Sequence, residues 1–392
     1  MRETVIVSAA RTPFGNFGGA LKSLQAVDLG AIAIAETVKR AGIAGHEVDL
    51  VIMGQVLQGG CGQIPSRQAT IKAGLPQEVP SETFNKVCGS SLRAVAMADQ
   101  VIRAGDADVV IAGGMESMSN APYFSAAQRW GQRMGNSSMT DLMIHDGLWC
   151  AFYNRHMAVH GGVVAKEYSV SREEQDQWAL RSQQRAAAAV AGGLLKEEIV
   201  PVTIKGKKGD TIVDTDEGPR PGSSMEALAK LPPLFDKENT VTAGNAPSTN
   251  DGASALLLMS KEKAQSLNLK PLATIVGHTM VSADPAYIAT VPALAGNKLL
   301  QKLGMTINDI GLIEANEAFA AVTLVSGKIT GWDPERVNVN GGAIAYGHPI
   351  GASGGRILMT LAYEMRRRDV KYGMAAICSG GAQGDAMIIK YE

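Results

Sequence analysis

Short uninterrupted apolar runs alternate along this chain with longer stretches in which apolar residues recur every three to four positions. Residues 4–8 read as a buried strand. Residues 28–40 read as an amphipathic helix with Gly42 as its stop. Residues 49–54 form a second strand. Leu92, Val95, Ala96 and Ile102 then repeat at helical spacing, and 108–114 is a third strand that ends on two glycines. Strands alternating with helices predict an α/β fold with a mostly parallel sheet covered on both faces.

The second half of the chain repeats this grammar in the same order. Residues 309–315 echo 49–55, residues 374–381 echo 109–114, and residues 384–390 echo 252–258. Three ordered echoes predict a duplicated α/β unit. The last two echoes are nearly adjacent in the second half, whereas in the first the stretch from Glu116 to Asn250 separates them. That stretch holds three of the four tryptophans, many methionines, a capping box at Ser171 and Glu174 that opens a helix through Trp178 to Ala189, and a Gly/Pro/Lys-rich run over 206–233. The expected organisation is therefore one half over 1–117 and 250–268, a loop domain over 118–249 inserted in it, and a second half over 269–392.

Composition narrows the class. The 392 residues carry a net charge of −1, so neither nucleic acid nor an anionic membrane is an expected partner, and no apolar run is long enough to span a bilayer. The four cysteines, Cys61, Cys88, Cys150 and Cys378, are far apart, with no zinc-type spacing. They read as free thiols in a reducing compartment. The first residues run straight into a strand without a signal-like segment, so a cytoplasmic location is expected. No P-loop follows a strand, and no GxGxxG does either.

Four motifs carry candidate chemistry. Cys88, in Asn85-Lys86-Val87-Cys88-Gly89-Ser90, stands at a helix N-terminus, where free N–H groups and the macrodipole favour a thiolate nucleophile. His348 lies in a glycine-dense loop between Asn340 and Gly355, and a His suits proton transfer near neutrality. Cys378 ends a strand before Gly380 and Gly381, whose N–H groups can bind an oxyanion. Asn316, before Glu317 and Phe319, follows a strand and is expected to open a helix, where its amide orients a water or carbonyl without adding charge. Ligands in open α/β sheets sit beyond the carboxyl ends of strands, where these four motifs fall.

These blocks, with Ser8-Ala9-Ala10-Arg11-Thr12-Pro13-Phe14-Gly15 and Gly113-Gly114-Met115-Glu116-Ser117-Met118, resemble the thiolases over nearly the whole chain, and within them the acetyl-CoA acetyltransferases. The resemblance implies a thiolase fold of two halves in αβαβα layers, a loop domain that binds coenzyme A, and a homotetramer built as a dimer of dimers. It implies that Cys88 is acylated and that His348 takes its proton. Cys378 deprotonates a second acetyl-CoA. Asn316, through a held water, and His348 form one oxyanion hole, and the N–H groups of Cys88 and Gly380 form another. Arg220 falls on the adenine side of CoA, while His156, Met157, Ser248, Leu148 and Phe319 line the pantetheine and acyl site. No metal or redox cofactor is implied; the CoA thioesters are substrates.

Some positions depart from the family pattern. Pro247 follows Asn245-Ala246 where a CoA-contacting serine is common, and Ser248 comes one place later. Ile288 stands where acetyl-specific members tend to carry methionine. These changes bear on acyl chain length and leave a broader 3-ketoacyl-CoA thiolase as the alternative. A cysteine hydrolase using Cys88 and His348 would not need Cys378, and a non-enzymatic CoA-binding protein would need none of the set.

Overall fold

The computed structural model describes residues 2–392. Its core strands are β1 (Thr4–Arg11), β2 (Leu50–Gly54), β3 (Ser81–Phe84), β4 (Val109–Ser117), β5 (Asn250–Ser260), β6 (Ala273–Ser282), β7 (Leu312–Ala315), β8 (Tyr372–Ser379) and β9 (Gln383–Lys390). They lie in the order β7-β8-β9-β6-β1-β5-β4-β2-β3. The centre is a short antiparallel contact between β1 and β6, where Val5 faces Thr274 and Ile6 faces Ala273.

Outward from that contact the two sides repeat each other. On one side β1–β5 and β5–β4 are antiparallel, and β4–β2 and β2–β3 are parallel. On the other, β6–β9 and β9–β8 are antiparallel and β8–β7 is parallel, with a parallel bridge from Ile313 to Val337 in the place of β3. Each sequence echo thus falls on matching strands: β2 with β7, β4 with β8, β5 with β9. The expectation of a mostly parallel sheet is overturned, because antiparallel pairs predominate. The apolar runs of β1, β5 and β8 reflect burial on both faces, and such runs carry no sign of strand direction. Directions follow from connections instead, as where β8 turns directly into β9.

Both faces are covered by helices: α1 (Ala26–Ala41), α2 (Ser90–Ala104), α3 (Met157–Glu167), α4 (Arg172–Ala191), α5 (Val291–Leu303), α6 (Ala320–Thr330) and α7 (Ser353–Arg368). Helix α1 packs outside the first half's sheet and α5 outside the second's. Helices α2 and α7 pack on each other and touch strands of both halves, which completes the αβαβα layering. Leu92, Val95 and Ile102 of α2 share one buried cluster with Ile357, Leu358 and Leu361 of α7 and with Leu256 and Ile377 from the two sheets. Each such side chain contributes about 1.5–3 kcal/mol on burial. Among the described residues no helix is long and apolar enough to cross a membrane.

Residues 118–249 leave at the end of β4 and return at the start of β5, its hydrogen-bonded neighbour. They carry α3 and α4. The capping box opening α4 is formed: Ser171 Oγ accepts from Glu174 N, and the Glu174 carboxylate accepts from Ser171 N. A buried triad binds this stretch to the sheet. Arg11, at the end of β1 and fully buried, meets Glu198 at 2.8 Å and Asp216 at 2.6 Å. Removing one partner of a buried ion pair leaves uncompensated charge. Arg11→Ala is therefore expected to cost about 3–5 kcal/mol, read from denaturant midpoints; a loss below about 1 kcal/mol would show that the triad does not hold the inserted stretch in place.

Candidate active site

Cys88 sits on a tight turn between β3 and α2. Val87, just before it, has φ +47, an unusual conformation for a β-branched residue that costs about 1–3 kcal/mol. Side chains hold the turn. Asn85 Oδ1 accepts from Val87 N at 2.9 Å; Ser90 Oγ accepts from Lys86 N at 2.8 Å and donates to the Val87 carbonyl at 2.6 Å. The N–H groups of Cys88 itself and of Gly380 lie close enough to the Cys88 sulfur to favour its anion. One donor thus comes from each half of the molecule.

The expected thiolate does not prevail in the free protein. Burial pushes the Cys88 thiol up to about 12, outweighing the two N–H groups that favour the anion. The helix N-terminus is real, but Cys88 is only 8% exposed, and desolvation of a charged sulfur dominates there. A base is needed to ionise it.

His348 supplies a neutral imidazole. Its loop packs directly on β4, and a Cβ at Gly114 would collide with the carbonyl oxygen of Gly351. Gly347, at φ +99, lies against the Asn250 side chain, whose Oδ1 accepts from His348 N at 2.8 Å. Ser353 Oγ donates to the Pro349 carbonyl at 2.9 Å and lies 2.6 Å from His348 Nδ1. With its proton so committed, Ser353 accepts from Nδ1–H, and Nε2 carries the free lone pair. Asn316 Nδ2 approaches that Nε2 at 3.4 Å. Burial lowers His348 to about 3, so the ring is neutral and basic at pH 7.

Cys378 is completely buried near the end of β8, and its thiol is pushed well above its ordinary range, first by burial and then by the charge of a Cys88 thiolate. It does not line the cavity. It lies in the apolar cluster of Met157, Ile288, Ala318 and Phe319, which do. Asn316 does not open a helix as expected: α6 begins at Ala320 with Phe319 as its cap, and Asn316 lies in the turn after β7, with Oδ1 making no hydrogen bond to the protein. Glu317 beside it accepts from Trp178 Nε1, Ser182 Oγ, Asn338 Nδ2 and Ile344 N, and so ties this turn to α4 and to the His348 loop.

A cavity of about 960 Å³, counting its open mouth, runs to Cys88, His348 and Gly380. His156, Met157, Leu148, Ser248 and Phe319 all line it, and its surface is mainly apolar. His156 caps α3, accepting from Ala158 N at 3.1 Å, and stacks on Phe235 with ring centres 3.9 Å apart; burial lowers it to about 4. Ser248 Oγ bonds Asn250 Oδ1 at 3.0 Å. Arg220 lies outside this cavity, exposed in a separate hollow with Gln183, Ser224 and Gly244. Among the described residues no three His, Cys, Asp or Glu side chains cluster as metal ligands.

Three groups around the site escaped the sequence reading. Ser353 orients His348; a serine five residues beyond a histidine in one loop was the available signal. Glu116, fully buried and raised by burial to about 7, accepts from Val56 N, Leu57 N and Gly351 N at 2.9–3.1 Å. Lys86 pairs with Asp385 at 2.7 Å.

This geometry predicts a dependence of Cys88 on His348. In His348→Asn the thiol must ionise unaided, so its thiolate fraction falls tenfold for each pH unit below its raised pKa. Alkylation of Cys88 by iodoacetamide at pH 7 is expected to slow at least about tenfold and to climb steadily through pH 10. Inactivation kinetics with peptide mapping check this; an unchanged rate at pH 7 would contradict it.

Comparison with known proteins agrees with the architecture. The model of the thiolase N-terminal domain matches residues 4–262, and that of the thiolase C-terminal domain matches 269–391. The chain is 52% identical to an acetyl-CoA acetyltransferase of Thiocystis violacea over 98% of each chain. It is 51% identical to one of Pseudomonas aeruginosa over 99% of each, and 50% identical to a probable acetyl-CoA acetyltransferase of Escherichia coli over the full length of both. With both halves, their order and the strand topology in agreement, the chain belongs to the thiolase family.

Proposed function

We propose that this chain is an acetyl-CoA acetyltransferase, condensing two acetyl-CoA to acetoacetyl-CoA and CoA through an acetyl-Cys88 enzyme. The observation that carries the reading is near-full-length identity of about half to proteins of that name, in a chain whose cysteine, imidazole and two N–H donors meet at one apolar cavity.

The chemistry runs in two halves. His348 Nε2 takes the Cys88 proton, and the sulfur attacks the thioester carbonyl. The N–H groups of Cys88 and Gly380 hold the developing oxyanion, an arrangement in which each donor is typically worth about 10²–10³ in turnover. The C–S bond to CoA breaks, and the leaving thiolate takes the proton back from His348. Cys378 then gives its thiol proton to His348 Nε2 and, as the thiolate, removes a proton from the α-carbon of a second acetyl-CoA. Asn316, whose Oδ1 is free to hold a water, and His348 stabilise the enolate oxygen. The carbanion attacks acetyl-Cys88, the new C–C bond forms, and Cys88 leaves as a thiolate that takes the proton back from His348, which restores the neutral resting site.

Electrostatics orders the halves. A Cys88 thiolate raises Cys378, so the second thiol resists ionisation while the first is charged. Acetylation replaces that charge with a neutral thioester and removes this part of the penalty. The scheme uses no metal or redox group. CoA enters along His156, Met157, Leu148, Ser248 and Phe319, with Arg220 beyond the cavity toward the adenine end.

A second reading, a thiolase for longer 3-ketoacyl-CoA chains, draws on the apolar lining, which includes Met143, Ile144 and Ile288. We further propose a cytoplasmic homotetramer, built as a dimer of dimers. The arm carrying Tyr123, Trp130, Met134 and Met139 leaves these side chains 59–91% exposed, an apolar surface suited to a second copy. The four free cysteines suit a reducing compartment.

Incubation with acetyl-CoA is expected to add about 42 Da to the Cys88 peptide, seen by mass spectrometry. Thiolysis of acetoacetyl-CoA is expected to exceed that of longer ketoacyl-CoA substrates in kcat/KM; equal or better turnover of long chains would favour the second reading. Light scattering checks the assembly: a mass near four chains is expected, and Trp130→Ser with Met134→Ser should lower it.

A further inference from the structure

The oxyanion site at Cys88 has a structural weakness. One donor, Cys88 N–H, belongs to the first half, and the other, Gly380 N–H, belongs to the β8–β9 hairpin of the second. Their spacing depends on how two separate loops are held together. We propose that Lys86 and Asp385 form a positioning pair that clamps the nucleophile turn to the hairpin and so sets this donor spacing. The inference deepens the acetyl-transfer reading and rests on it.

Three observations place the clamp. Lys86 stands two residues before Cys88, and Asp385 faces Ile377 in the β8–β9 register, one pair along from Cys378 and Gly384. The Lys86 ammonium reaches both oxygens of Asp385, at 2.9 and 2.7 Å, across a sequence separation of 299 residues. Both side chains are buried, at 8% and 5% exposure. A second strut runs alongside: Gly89 N donates to Ser379 Oγ at 2.8 Å, again first half to second. A Cβ at Gly89 would press on Ser379 and Asp385, so the two loops are in contact along this line.

Burial leaves Asp385 above its ordinary value despite the lowering by Lys86 and, to a smaller degree, by Arg93 and His278; the Lys86 ammonium within 2.9 Å of both oxygens is the charge that answers the buried carboxylate. The Met280 thioether lies 3.6 Å from the Lys86 ammonium. A buried ion pair of this kind adds little net stability over an apolar pair of similar volume. Its value lies in direction: a short charged contact fixes distance and angle between two backbones that share few other polar links there. Neither side chain touches substrate, so both act through Gly380 and Cys88.

The test separates stability from positioning. Lys86→Met and Asp385→Asn each strand a buried charge and are expected to lower Tm and kcat together. In the double variant Lys86→Met/Asp385→Leu, Tm is expected within about 5 °C of the parent. Its kcat is expected to fall about 10²-fold with KM nearly unchanged, the effect of misplacing one oxyanion donor. Lys86→Arg, which keeps the charge, is expected to retain most of kcat. A double variant with kcat within about twofold of the parent would overturn the proposal. If the double variant does not fold, Ser379→Ala decides: a kcat loss of about tenfold supports the clamp, and an unchanged kcat refutes it. Failure of the underlying reading looks different, since the parent enzyme itself would then form no acetyl-Cys88.

Discussion

The narrow contact between β1 and β6, backed by the packing of α2 on α7, is what makes a single site out of two halves. Each half alone ends its strands in a set of loops. Only when the two sheets are held edge to edge around their shared helices do the Cys88 turn, the His348 loop and the β8–β9 hairpin face one cavity. A large buried core is therefore spent on alignment: displacing one half by an ångström would leave both folds intact and separate Gly380 N–H from the sulfur it faces.

Within that frame, burial is the strongest electrostatic force. It raises Cys88 and Cys378 and lowers His348, so the resting centre is a set of neutral groups. Neutrality suits a site that must admit a thioester and exclude water. In the proposed reaction charge appears only as bonds change, and each charge has a prepared partner: Nε2 for the thiol proton, backbone N–H groups for an oxyanion, the Asn316 amide beside His348. Glu116, accepting three backbone N–H groups, and Glu317, accepting four donors, secure the loops that carry these partners. Both carboxylates are fully buried.

Much of this could be read from residues alone, for a physical reason. The nucleophile turn, the histidine loop and the glycine hairpin are local segments whose chemistry and special backbone leave a mark in a few consecutive residues. The duplication showed because buried strands repeat their composition in order. Strand direction did not show, since a strand buried on both faces reads the same either way. The state of Cys88 is not legible in its motif, because helix position is local whereas burial is built by distant chain. The turn at Asn316 reads as a helix start because it follows a strand, whereas Phe319, three residues on, is the cap. Lys86 with Asp385 and Glu116 with Gly351 could not be found from spacing: each joins residues more than 200 positions apart.

In the proposed reaction two sulfurs divide the labour, one holding the acetyl group and the other moving the proton. Hydrogen–deuterium exchange at the methyl of acetyl-CoA in D₂O, followed beside acetyl transfer to Cys88 in a Cys378→Ser variant, measures the two roles separately. The predicted result is an acetyl-Cys88 enzyme that still forms while methyl exchange and condensation are lost. Exchange and condensation persisting at the parent's rate would contradict the assignment of Cys378 and return the protein to single-cysteine chemistry.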